Sequence, residues 1–250
     1  MSTTDTEPSP WTRPSFITAA IVVAIVVMLG AALAIRALTN DDAEAAPLEP
    51  TTSASASAEP SPTSDDGAAG SDASICGLKG VKTTGTVTMA PAAEWAFQGT
   101  TAYPTSPQFG PGQTDTSGAR FCFQHSPEGA LFMAANAVVQ ASDPATASAW
   151  AQEVLAHGQF YDQLLSELGT PSSDSNSRVS IVGFRLLAYD GRTARVDIAL
   201  RGTFDAQTAT VSGVYELVWQ SGDWKISSDV QEPLNVAVIP DLAGYVSWGA

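Results

Sequence analysis

The sequence is poor in the residues that carry most chemistry. Its 250 residues include two histidines and two cysteines. A metal site needs Cys, His or carboxylate ligands at short spacing. Neither Cys76 nor Cys122 stands in such a motif, so no metal ligands are assigned. There is no glycine-rich phosphate loop and no paired-carboxylate motif. No catalytic or cofactor-binding residues are assigned, and no cofactor is expected. Basic residues are scarce too: eleven Lys and Arg stand against 26 Asp and Glu, a net charge of −15. Nucleic-acid binding draws most of its affinity from Lys and Arg at phosphates, which excludes nucleic acid as a partner.

What the chain does have is one long apolar run. Phe16 to Ile35 is twenty residues without a charge and with a single hydroxyl, Thr18. As a helix it would span about 30 Å, the thickness of a bilayer's hydrocarbon core. The expectation is a transmembrane helix over residues 16–38 behind a cytoplasmic tail, residues 1–15. Ala32-Leu-Ala34 resembles a signal-peptide cleavage site, but the run exceeds the 7–15 residues of that class. Arg13 and Arg36 flank the run and nearly balance each other. Orientation is therefore read from the stalk-like stretch and the cysteine pair beyond the run. They place the N-terminus in the cytoplasm and the rest outside a cell membrane crossed once. The small-residue pairs Gly30/Ala34 and Ala20/Ala24 would allow helices to approach, which leaves self-association open.

Residues 39–74 hold eight acids, no Lys or Arg, no aromatic and one large aliphatic, Leu48. Such a stretch cannot bury enough apolar surface to offset its ordering entropy and reads as a disordered linker. The remaining block, residues 75–250, has the size of one domain with a real core. It carries sixteen acids and nine bases, and both cysteines. For an exported block, pairing of Cys76 with Cys122 is the simple reading, and two buried thiols the other.

Within the block, residues 75–125 read as an irregular segment packed on the domain. Trp95, Phe97, Tyr103 and Phe109 are too many rings for a free loop, Gly80–Met89 suits a short strand, and Tyr103–Gly112 an ordered loop of turns. Ser126-Pro-Glu128 starts a helix with an N-cap, a proline at the first helical position and an acid in the first turn. The helix then runs apolar nearly all round to Val139, so it should be central and buried. Asp143-Pro144 starts a second helix, and Gln159 to Leu168 reads as a third. From Arg178 the period turns to two. Strands are expected over Val179–Tyr189, Thr193–Arg201, Thr208–Gln220 and Trp224–Ser228, with Asp190-Gly191 and Ser221-Gly-Asp223 as turns. On the second strand Ala194, Val196, Ile198 and Leu200 point inward, and Arg195, Asp197 and Arg201 outward. The tail, residues 231–250, is apolar again, and Pro240-Asp241 suits one turn of helix. The expected fold class is α+β: three helices packed on a four-stranded antiparallel curved sheet, the core spanning residues 126–230.

Helices followed by long hairpins ending in Val218-Trp-Gln-Ser-Gly-Asp-Trp-Lys-Ile226 resemble the nuclear-transport-factor-two-like fold, which implies a cone-like sheet. A single-span protein with such an exported domain is similar to the VirB-eight-like or TcpC-like subunits of conjugation and type IV secretion machines, and to the Mce-associated membrane proteins of actinobacteria. The segment Arg120–Asn136 and the closing Asp241–Gly249 also resemble actinobacterial membrane-anchored proteins, some linked to mobile elements. The resemblance implies a scaffold that binds protein partners in the cell envelope, and it brings no catalytic residues. Cone-shaped relatives that act as isomerases or dehydratases place an Asp or a His–Asp pair in the pocket. Asp162 could face a cavity in this way, whereas Asp197 should face solvent. His125 with Ser126 would need an orienting carboxylate to form a triad, and His157 sits at a helix end, where an imidazolium meets the dipole. The sequence thus points to an anchored interaction protein rather than an enzyme. A small-molecule binder or isomerase-like domain using the pocket is the alternative.

Overall fold

In the computed structural model, the described residues are 72–250 except 142, 144–145, 169–177 and 205–206. All belong to the unit Thr63–Ala250. The apolar run at Phe16–Ile35, the tail before it and nearly all of the acidic linker lie outside them. No helix among the described residues is long and apolar enough to cross a membrane.

The elements come in simple chain order. Two short hairpins are first, β1 (Glu94–Gln98) with β2 (Thr101–Thr105), and β3 (Gln113–Thr114) with β4 (Arg120–Phe121). Three helices come next, α1 (Pro127–Ala141), α2 (Ala147–Val154) and α3 (Tyr161–Leu168). A run of strands closes the chain: β5 (Arg178–Tyr189), β6 (Thr193–Phe204), β7 (Gln207–Gln220), β8 (Asp223–Ile226), β9 (Leu234–Val238) and β10 (Val246–Ser247). These six form one antiparallel sheet. Its order is β10-β5-β6-β7-β8, and β9 shares the edge of β7 with β8.

The expected four-stranded cone-like sheet is therefore corrected to six strands. Both additional strands come from the tail, where the sequence suggested a helical turn. Pairing of Val211–Tyr215 with Leu234–Val238 and of Gly183-Phe184 with Val246-Ser247 bonds tail backbone groups that would otherwise rely on water. Gly80–Met89 forms no strand. The aromatic part of the N-terminal segment pairs with itself instead: Trp95 and Phe97 lie on β1, and Tyr103 on β2.

The first helix begins as its residues require. Ser126 Oγ accepts the Gly129 N–H at 3.0 Å, an N-cap bond, and Pro127 takes the first helical position. Every residue from Gly129 to Gln140 is buried, because α1 packs against β2, β5, β6, β8 and α2. Its two amides are satisfied within that packing. Asn136 Nδ2 donates to Pro104 O at 3.0 Å, and Gln140 Nε2 donates to Gly118 O at 3.0 Å.

The opening segment is locked to the sheet at the β7–β8 turn. Ser221 and Gly222 both adopt positive φ, the conformation a two-residue hairpin turn needs. Beyond it, the buried Asp223 carboxylate accepts N–H bonds from Cys122 at 2.6 Å, Phe123 at 2.7 Å and Trp224 at 2.9 Å. Cys122 itself has φ of 69°, a left-handed conformation costly for a residue with a Cβ, and its disulfide to Cys76 closes a 46-residue separation. Burial pushes the Asp223 carboxyl up to about 6. The hydrogen bonds from Phe123, Cys122 and Trp224, and the charge of Lys225, oppose that rise.

This clasp has two measurable effects on stability. Reducing the disulfide removes a loop closure worth up to about 4 kcal/mol, so urea denaturation with and without reductant should show a clear loss of stability. A carboxyl whose folded pKa lies above its unfolded value of 3.8 contributes stability that is fully present below pH 4 and lost as pH rises through about 6. The stability of the wild type relative to Asp223→Asn should therefore fall by up to about 3 kcal/mol between pH 4 and pH 7. A difference that does not move with pH would show that burial does not govern this group.

Candidate functional site

The helix-facing side of the sheet has two ends of different character. At one end it is filled with rings. Trp248 of the tail packs against Trp95 at 5.2 Å, Phe132 at 5.3 Å and Phe184 at 5.5 Å, and Phe109 lies 5.4 Å from Phe132. The β1–β2 hairpin and the turn after it thus close this end. At the other end a cavity of about 200 Å³ is walled by Trp150, Leu164, Tyr215, Ile226 and Leu234. Glu167 and Glu232 also border it. Tyr215 is almost fully buried, and burial raises its phenol above the ordinary range. Gln231 borders it as well, and the walls are mostly apolar.

The residues weighed for chemistry are dispersed. His125 is buried, stacked on Trp219 at 3.9 Å, with Nδ1 2.9 Å from Asp72 O and Nε2 2.5 Å from Gly191 O. Both ring nitrogens are thus occupied by backbone carbonyls. Ser126 Oγ caps α1 and donates to Gln124 Oε1 at 2.7 Å. The two residues do not form a nucleophile–base pair. His157 is exposed and leans on Tyr161 at 4.4 Å. Asp162 is exposed on α3, as a solvated helix face would be, and does not line the cavity beside Tyr215. Among the described residues no three His, Cys, Asp or Glu side chains are grouped to hold a metal ion.

Asp197 is the largest departure from the sequence reading. Its position on the sheet face away from the helices is as expected, but it is fully buried there. Residues 239–245 lead from β9 on one edge to β10 on the other and bring Tyr245 over that face. Asp197 Oδ2 accepts from Tyr245 Oη at 2.8 Å and from Arg185 Nε at 3.1 Å, and Oδ1 accepts from Ser212 Oγ at 2.7 Å. The Arg185 guanidinium lies 4.1 Å from the Tyr245 ring centre, and its bond to Asp197 raises its pKa. The cluster holds the tail in place.

A second polar cluster has no counterpart in the sequence reading. Arg120 is buried beneath α1, its guanidinium 3.7 Å from the Tyr103 ring centre. Its Nε donates to Asn136 Oδ1 at 2.8 Å and its Nη1 to Gln98 Oε1 at 2.6 Å, and burial lowers its pKa. Asn136 and Gln140, four apart on the apolar part of the helix after Glu128, are the available signal, since buried amides need partners.

The tail contacts set a ranking of substitutions. Asp197→Ala leaves Arg185 half-buried without its partner and should cost about 2–3 kcal/mol, less than a fully buried pair because the guanidinium keeps solvent access. Tyr245→Phe, which removes one hydroxyl, should cost about 1 kcal/mol. Thermal denaturation of the two variants checks the order.

No curated protein and no solved structure matches the chain. Residues 51–247 match one family, described as a domain of unknown function, DUF8175. That match covers most of the chain, from within the acidic linker to the tail strand, and the protein therefore belongs to the DUF8175 family.

Proposed function

We propose that the protein is a single-pass membrane-anchored interaction domain, held outside the cytoplasm by its acidic linker, that binds other proteins of a cell-envelope complex. The observation that carries this reading is the treatment of the helix-facing side of the sheet. One end is packed with Trp95, Trp248, Phe109 and Phe132, and the cavity at the other end has mostly apolar walls. Apolar side chains lie on the surface instead, among them Met89, Phe97, Val236 and Val238. The disulfide suits an oxidising compartment. The resemblance to VirB-eight-like and Mce-associated proteins directs the proposal to conjugation, secretion or other envelope-transport machinery. A second reading, a binder of a small apolar molecule, rests on the cavity beside Tyr215.

Crosslinking in intact membranes, with identification of the crosslinked proteins, separates the two. Recovery of envelope-complex subunits is the expected result. A small molecule that co-purifies with the chain, no foreign protein being crosslinked, would overturn the reading in favour of the binder.

A further inference from the structure

The two strands that share the outer edge of β7 are finished differently. Beside β8 the edge is covered: Ala156 N–H donates to Ile226 O at 2.9 Å, and Phe160 N–H to Ser228 O at 2.7 Å. Beside β9 it is open. Glu216 N–H donates to Pro233 O at 2.8 Å and Ile239 N–H to Thr210 O at 2.9 Å, which fixes the phase of the ladder. Residues 233, 235, 237 and 239 therefore turn their backbone groups toward β7. Leu234, Val236 and Val238 turn theirs outward, and no partner for them is present among the described residues. Their side chains lie on the Tyr215 side of the sheet and are exposed by 39 %, 49 % and 65 %. Natural sheets protect such edges with charge, an interior proline, a bulge or a cover. The strand Leu234-Asn-Val-Ala-Val238 has none of these.

We infer that β9 is a docking edge for a second copy of this chain. The strand is self-complementary about Val236. In an antiparallel pairing on a two-fold axis through that residue, Leu234 faces the partner copy's Val238 and Val236 faces its own mate. All three outward-facing residues then sit in hydrogen-bonded pairs, about six bonds in all. The apolar side chains of both copies fall on one face and form a continuous ladder. Pro240, opposite the partner copy's Glu232, limits the pairing at both ends of the two-fold ribbon, because it cannot supply an N–H there. Charge allows the match: residues 233–240 are uncharged, and Glu232 falls opposite Pro240 rather than another acid. The two sheets become one, joined edge to edge.

Area and charge set the strength. A five-residue ribbon buries less than the roughly 800 Å² per partner of a stable interface, so the dimer forms only at about micromolar concentration or above. Both domains carry net negative charge, so added salt strengthens the contact instead of weakening it. The inference deepens the interaction reading, and rests on it only in that a membrane anchor supplies the local concentration.

The test uses the full chain in membrane vesicles. Cys76 and Cys122 are bonded to each other, so Val236→Cys introduces a lone thiol beside the two-fold axis. Mild oxidation should give covalent dimer at least about fivefold above that of Leu187→Cys, an exposed position on β5. In detergent, sedimentation of the wild type should show concentration-dependent dimer that increases with salt, and Val236→Lys should abolish it with an unchanged thermal midpoint. Where Val236→Lys lowers that midpoint, Val238→Lys serves instead, being the most exposed position of the three. Equal crosslinking at both cysteine positions, or a dimer that persists in the lysine variants, places any self-association elsewhere and overturns the inference. So does a monomer at every concentration. None of these outcomes bears on crosslinks to foreign envelope subunits, which test the broader reading separately.

Discussion

The carboxylate of Asp223 is the point on which the domain turns. It takes the N–H groups of two residues a hundred positions earlier in the chain and one of its own neighbour. In doing so it holds Cys122 in a left-handed conformation and sets the disulfide against the sheet. Other contacts gather around it. Ile75 N–H donates to Gly222 O at 2.8 Å, Ser74 Oγ to Phe123 O at 3.0 Å, and Trp224 Nε1 to Gln124 O at 3.0 Å. Here the chain enters the domain, here α1 is capped, and here the sheet turns. A buried carboxylate is costly, and the oriented donors at its oxygens offset part of that cost while they tie three segments to one side chain.

The sheet is finished by the tail, which works on both faces at once. In an extended chain successive side chains alternate, so Tyr245 and Trp248 fall on opposite sides of β10. Tyr245 closes the outer face over Asp197, and Trp248 enters the core between α1 and the β1–β2 hairpin, its Nε1 donating to Pro91 O at 3.2 Å. A two-residue strand would be too short to hold by its ladder alone. These two side chains give β10 its hold and explain how the last residues of the chain stay ordered against the domain.

Local chemistry was legible in the sequence and distant chemistry was not. Ser126-Pro-Glu128 announces α1, Asp190-Gly191 announces the β5–β6 turn, and the alternation from Ala194 to Leu200 identifies the inward face of β6. Each depends on neighbours within a few residues. Asp197 was assigned the right face and the wrong environment, because the residue that covers it, Tyr245, lies 48 positions away. The tail strands were missed for the same reason: Leu234-Asn-Val-Ala-Val238 has strand composition, but only the open edge of β7 gives it a place. The site suffered most. No local pattern marks a cavity whose walls come from α2, α3, β7, β8 and the segment entering β9.

Among the described residues the β9 edge stands out. The β8 edge is covered, β10 pairs with Gly183 and Phe184 on the far side of β5, and the aromatic end of the core is closed by a hairpin. An apolar, uncharged strand with its backbone groups turned outward is an aggregation hazard in a freely diffusing protein. The hazard shrinks when copies are tethered to a surface, spaced by an acidic linker and repelled by net charge, because only a short-range, register-specific contact then survives. In the proposed dimer the acidic composition and the apolar strand would act together: repulsion would keep the domains apart until two bare edges meet in line.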